Sequence, residues 1–240
     1  NIAADHSIEV IFIDAPVPST YCAVPAFITT PAPPNVMLML SVESPMEGAA
    51  NPSVTCTGTP SAINYTCNSS GLGTYDNSRN YYGYFENYKC YTYSGSGASG
   101  LFTPSGVATN HQCGGTGWSG NMLNWSTMLA VDAFRKAFTG GNRVVDTTTE
   151  TVLLGAVNDG NWFPANPTIT NAEQYMPGLT GTGNTRTIMR RGAGVGFGVC
   201  NNGVNNCTVG RSGSGEAQWP TAGSNTAAVY SLRVKACDST

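Results

Sequence analysis

The chain has 240 residues, enough to bury a substantial core as one large domain or two small ones. Only 10% of residues are charged and the net charge is −3, so no basic face for nucleic acid is present. With 29 glycines and eight cysteines but no CxxC pair, the composition excludes a zinc ribbon and points to disulfides in an oxidising compartment.

The first residue is Asn1, with neither Met nor a charged, apolar leader before it, which reads as a chain whose signal peptide has been removed. No apolar run reaches the roughly 18 residues needed to span a membrane. Residues 7–14, SIEVIFID, are β-branched and apolar and predict a strand. Six prolines in 15–34 require an extended segment that cannot be a central strand. The continuous apolar run 35–42, NVMLMLSV, fits a strand buried on both faces.

Residues 44–118 read as a long irregular region. Within it lies NYYGYFENYKCYTYS (80–94), which contains Tyr81, Tyr82, Tyr84, Phe85, Tyr88, Tyr91 and Tyr93. Two readings stand: a half-exposed hairpin whose tyrosines pack on Gly-rich neighbours, or an aromatic surface for a sugar or protein partner. GSGASG (95–100) is a loop.

Residues 119–141 carry the one long helical signal. At 100° per residue, Met122, Leu129, Ala133 and Ala137 share a side that Leu123, Trp125, Val131, Phe134 and Phe138 widen. The remaining polar strip holds Asn121, Asn124, Asp132, Arg135 and Lys136. Such a helix is expected to be packed on two sides. Ser119 or Asn121 caps its start, Arg135 and Lys136 suit the C-terminal dipole, and Gly140-Gly141 supplies the left-handed stop.

Thr147–Ala156 is a second apolar run that fits a strand or a short helix. Residues 157–228 read as irregular again, with glycine at every second position from 192 to 198. That alternation suits a strand lying against another backbone or a ring, not a nucleotide loop. Residues 227–236, AAVYSLRVKA, predict a closing strand.

Local spacing suggests the pairs Cys56–Cys67, Cys90–Cys113 and Cys200–Cys207, leaving Cys22 with Cys237. Spacing alone does not fix this among the 105 possible pairings. GWSGN (117–121) approaches a nucleophile elbow, but its fifth residue is Asn121, and nearby His111 is not oriented by any visible third group. NDGN (158–161) reads as a turn, not a calcium loop. No paired carboxylates, cofactor motif or metal cluster is apparent, so an enzyme is not expected.

Four blocks in order, PNVMLMLSVESPM (34–46), NYYGYFENYKCYTYS (80–94), the stretch 118–156 and VYSLRVKACDST (229–240), resemble the N-terminal region of the PilC/PilY family of type IV pilus tip-associated proteins. The resemblance implies an α/β fold: an incomplete von Willebrand factor A-like sheet with one long buried helix and large disulfide-braced insertions. Residues 1–34 would be an N-terminal strand and Pro-rich segment, and 35–240 a single A-like domain with insertions at 44–118 and 157–228. The metal loop of A-type domains falls at Ser41, Glu43 and Pro45, which lack its Asp and second Ser, so metal binding there is not expected. The resemblance further implies a secreted, non-enzymatic surface protein without cofactor, whose partners are pilin, other tip proteins or a surface glycan. The competing expectation is a structural subunit that polymerises into an extracellular fibre by exchanging strands with copies of itself.

Overall fold

The computed structural model describes residues 44–52, 54–57, 66–69, 72–158, 167–179, 183–201, 207–215 and 217–238. The expected strands at 7–14 and 35–42, the Pro-rich segment, Ser41, Glu43, Cys22 and residues 159–161 lie outside them. Pro45 sits in a single 3-10 turn, Ser44–Glu47.

In chain order the strands are β1 (Val54–Thr57), β2 (Thr66–Ser69), β3 (Lys89–Ser94), β4 (Leu101–Val107) and β5 (Trp118–Ser119). Two helices follow, α1 (Gly120–Thr127) and α2 (Ala130–Thr139). Then come β6 (Arg143–Asp146), β7 (Glu150–Leu154), β8 (Thr168–Ile169), β9 (Arg186–Met189), β10 (Gly196–Cys200), β11 (Val209–Ser212), β12 (Trp219–Ala222), β13 (Thr226–Ser231) and β14 (Arg233–Asp238). The fold is mixed α/β, but both regions expected to be irregular hold sheet.

The principal sheet runs β5-β3-β4-β14-β7-β6. Among the described residues only β4 and β14 pair in parallel, through Phe102 and Val234. The sheet's other neighbouring pairs are antiparallel. Glu150–Leu154 resolves the ambiguity of its segment as a strand, because a hairpin pairs it with β6 on one side and β14 pairs with it on the other. A second sheet, β13-β10-β9-β8, and a ribbon, β11-β12, occupy the region expected to be loop. Gly196 lets β10 lie against Pro220 and the Tyr230 carbonyl, and Gly198 makes room for Val209, which is the close approach the alternating glycines call for.

The closing strand expected at 227–236 is two strands in different sheets. The chain changes sheet at Leu232, whose N–H donates to Val195 O (3.1 Å) and whose carbonyl accepts from Gly155 N (2.8 Å). Phe102 is the centre of the joint between the sheets. Its ring lies 5.3 Å from Phe85, 5.9 Å from Trp118 and 6.2 Å from Phe197.

The single long helix expected over 119–141 is two helices. Ser119 does cap the start, accepting from Met122 N at 3.2 Å, and Gly140 ends the second helix at φ 79°. Between them Met128 and Leu129 are extended. Residues 48–50 explain the break: Ala50 N donates to Met128 O and Ala130 N to Gly48 O, both at 2.8 Å, so these residues pair like a short strand. Ser126-Thr127 weakens the helix just before it, with the Thr127 hydroxyl returned to Leu123 O (2.6 Å).

The two halves then face different surroundings. All of α1 is buried, including Asn121 and Asn124, while α2 exposes Phe134 and Phe138, whose rings stack 5.2 Å apart. The expected faces are thus partly inverted: Asn121, Asn124 and Asp132 point inward and two phenylalanines outward. The reason lies in residues 75–85, which form no regular ladder and take their backbone partners from α1 instead. Asn121 accepts from Tyr81 N (2.8 Å) and donates to Arg79 O (2.9 Å). Asn124 accepts from Phe85 N (3.1 Å) and donates to Tyr81 O and Phe85 O (2.9 and 2.8 Å).

Cys90–Cys113 and Cys200–Cys207 are disulfides. Cys56 stands opposite Cys67 in the β1–β2 register. The Cys22–Cys237 pairing lies outside the described residues.

Candidate functional site

The aromatic block divides between core and surface. Tyr84, Phe85 and Tyr91 are fully buried, which removes them from any partner surface. Both tyrosine hydroxyls are used inside: Tyr84 accepts from Asn142 N (3.1 Å) and Tyr91 from Glu86 N (2.8 Å). Burial pushes both phenols up. Tyr81 packs beside Tyr75 and Trp125, and Tyr93 beside Phe102 and Tyr230. Only Tyr82, at 48% exposure, and Tyr88, at 41%, present rings to solvent.

These two rings border a groove of about 440 Å³. Residues 81–88 form one wall. Lys136 and Gly140 of α2 contribute the end, and Arg143, Thr151, Leu153 and Ala236 of the principal sheet lie beneath. The volume is within the range of small-molecule sites, ~300–1,000 Å³.

Three contacts fix the wall. Asn51 treats Tyr82 as a strand would, accepting from Tyr82 N (3.2 Å) and donating to Tyr82 O (2.9 Å). Asn124 holds Phe85 and Tyr81 from behind. Gly83 sits where the wall touches α1: a Cβ there would come within 2.3 Å of Asn124 Oδ1 and 2.4 Å of Met128 Cγ.

Lys136 is the charged centre of the groove. Its ammonium donates to Gly83 O (2.6 Å), lies 3.7 Å from Glu86 and stands 5.2 Å from the Tyr82 ring centroid. Burial lowers its pKa, and the Glu86 carboxylate works against that shift. Arg143 folds over Gly140 and pairs with Asp146 at 3.0 Å. Sequence reasoning placed Lys136 only as a cation for the helix dipole and did not single out Arg143, Glu86 or Asn51; nothing in their local spacing links them.

A second polar cluster is structural. Arg190 and Asp132 are fully buried and meet through Ala156. Ala156 N donates to Asp132 Oδ1 (2.9 Å), and Ala156 O accepts from Arg190 Nη2 (2.6 Å). Arg190 also donates to Thr127 O (3.0 Å), Gly194 O (2.6 Å) and Gly196 O (3.0 Å), so one guanidinium ties the end of α1 to both sheets. Burial holds the Asp132 carboxyl above its usual range and lowers Arg190 to about 10; each charge partly offsets the other's shift.

Ser119, the serine of the near-elbow GWSGN, is buried at the start of α1. Its buried hydroxyl donates to His111 O (2.6 Å) while capping α1, and the His111 ring is bonded to Asn77 O. Among the described residues no group of His, Cys, Asp and Glu could hold a metal ion, and no helix is long and apolar enough to cross a membrane.

Residues 73–211, more than half of the chain, match the family model described as "PilY1 homolog, small alpha/beta domain". A "Type IV pilus biogenesis factor PilY1 homolog" of Xylella fastidiosa (strain Temecula1) is 43% identical over 102 residues, covering 39% of this chain and 8% of the relative. Another protein of the same description and strain is 40% identical over 73 residues, covering 30% and 5%. The matched stretch thus covers less than a tenth of the length of each of these curated relatives. No solved structure matches it.

Proposed function

The chain belongs to the PilY1-related family, and from that membership we propose that it serves a type IV pilus system as a non-enzymatic, extracellular component, either a tip-associated adhesin or an assembly factor. The match over 73–211 carries this reading, because it takes in the groove wall, both helices and, of the strands beneath, β6 and β7. A non-catalytic role is supported by the site chemistry. Ser119 is committed to a cap, Asp132 to backbone donors and Lys136 to Gly83 and Glu86.

Shearing pili from the native source and probing for the chain tests the association; its consistent absence from the sheared fraction would end the proposal. Deletion then separates the roles. Loss of surface pili marks an assembly factor, and normal pili with lost attachment mark an adhesin. A von Willebrand factor A-like scaffold over 35–240 remains part of the proposal, to be tested by a crystal structure of the chain.

The fibre subunit is kept as a second reading because β6 is an edge strand among the described residues, with Val144 exposed on it. Electron microscopy of the concentrated chain tests it: discrete monomers alone would remove it.

A further inference from the structure

The groove beneath residues 81–88 is chemically selective, and its charges are the first clue. It contains two cations, but each already faces a carboxylate: Lys136 with Glu86 at 3.7 Å, Arg143 with Asp146 at 3.0 Å. An anionic ligand would have to displace a carboxylate to reach either one. A charged ligand therefore gains little, and an uncharged one meets a compensated lining.

The floor excludes a second class. β7 lies between β14 and β6, so its backbone groups under the groove are spent within the sheet. A peptide laid over β7 finds no free ladder to extend, which is where an added strand gets its affinity; a peptide probe tests the edge at β6.

What remains is a ring-lined, half-apolar space whose two lining cations are each paired with a carboxylate. Tyr82 and Tyr88 stand exposed at its border, Leu153 and Ala236 give apolar contact, and Asn87 and Thr151 add an amide and a hydroxyl. Lys136 packs over Tyr82, and the Asn51 amide clamps the Tyr82 backbone, so that ring is held before any ligand arrives. A hexose matches this set. Its axial C–H face stacks on an aromatic ring, and its hydroxyls exchange water for scattered polar groups at no cost in buried charge.

We propose that the groove formed by Tyr82, Tyr88, Lys136 and Arg143 is a binding site for an uncharged saccharide, one hexose unit of which stacks on the tyrosine rim. The site is independent of pilus association, because the isolated 240-residue chain carries it.

Saturation-transfer NMR and calorimetry of that chain test it with methyl β-galactoside, methyl α-mannoside and N-acetylglucosamine as neutral probes. Glucuronate is the charged probe and trialanine the peptide. At least one neutral probe is expected to bind with a millimolar Kd, glucuronate no more tightly, and trialanine not at all. Tyr82→Ala and Tyr88→Ala, at exposed positions, are each expected to weaken the sugar at least tenfold with near-UV dichroism unchanged; Phe134→Ala, on the outer face of α2, is expected to leave it alone. Absence of transfer to every neutral probe, preference for glucuronate or trialanine, or binding that survives both tyrosine substitutions overturns the assignment.

Discussion

Gly83→Ala is the sharpest probe of how the site is built. Gly83 does not adopt the positive φ that disfavours alanine, so the added methyl acts through the space it needs. That space is taken: Asn124 Oδ1 is 2.3 Å and Met128 Cγ 2.4 Å from the new Cβ. Met128 can bend, but Asn124 cannot leave without releasing Phe85 N, Phe85 O and Tyr81 O. Overpacking costs about 1–3 kcal/mol and each orphaned buried group about 1–3 kcal/mol. A loss of about 3 kcal/mol is therefore expected. For a chain of this size that is a fall of roughly 6–12 °C in Tm. Urea denaturation should show a lower midpoint with an unchanged slope. The decisive comparison is a double-mutant cycle with Asn124→Ala, which removes the obstructing amide. The second substitution should cost clearly less in the Gly83→Ala background than alone, with coupling of at least about 1 kcal/mol. Additive losses, or a Gly83→Ala protein within about 0.5 kcal/mol of wild type, would refute the claim that the groove wall is set by contact with α1.

Arg190→Met should destabilise by about 3–5 kcal/mol in the same denaturation assay, since four backbone carbonyls lose their donor and Asp132 loses its cation. Asp132 gives the pH dependence. Its folded pKa lies above the usual 3.8, so the folded chain holds a proton that the unfolded chain releases. That contribution is fully present below about pH 3.8 and is lost as pH rises through the folded pKa. The stability of wild type relative to Asp132→Asn should therefore fall from pH 3 upward and then level; a rise would contradict it. Replacing Cys90 and Cys113 with serine opens a closure of 23 residues and should cost about 3 kcal/mol, about 1 kcal/mol more than opening Cys200–Cys207, as read from paired thermal melts.

The helix ends were legible because capping is local chemistry: a serine hydroxyl at 119 and a glycine able to turn left-handed at 140 need no tertiary context. The disulfides at 90–113 and 200–207 were legible for a similar reason, since each closes a short span. The break at Met128-Leu129 was not. No Pro or Gly marks it, and its cause is a pairing with residues 48–50, some eighty positions away in sequence. The sheet change at Leu232 was hidden in the same way: TAAVYS and RVKACD form one unbroken alternation, and only the partners at Val195 and Gly155 divide it. Hydrophobic periodicity reports which side of a segment is apolar, not where the segment ends when another strand captures its backbone.

The aromatic block shows why composition alone could not locate the site. Seven similar rings lie within fifteen residues, yet the chain before Lys89 is not a strand, so alternation assigns no face to residues 81–88. Their directions are imposed from outside. Asn124 draws Phe85 inward, the Asn142 N–H engages the Tyr84 hydroxyl, and Asn51 leaves Tyr82 at the surface by taking up its backbone groups. The asparagines that violate the amphipathic pattern of the helical stretch are thus the residues that shape the groove. A polar side chain on the buried side of a helix must be matched by unpaired backbone nearby, and here that backbone is the wall carrying the two exposed tyrosines. The groove and the anomalous helix faces have a single physical origin, so a change at Asn124, which never touches a ligand, should still move Tyr82.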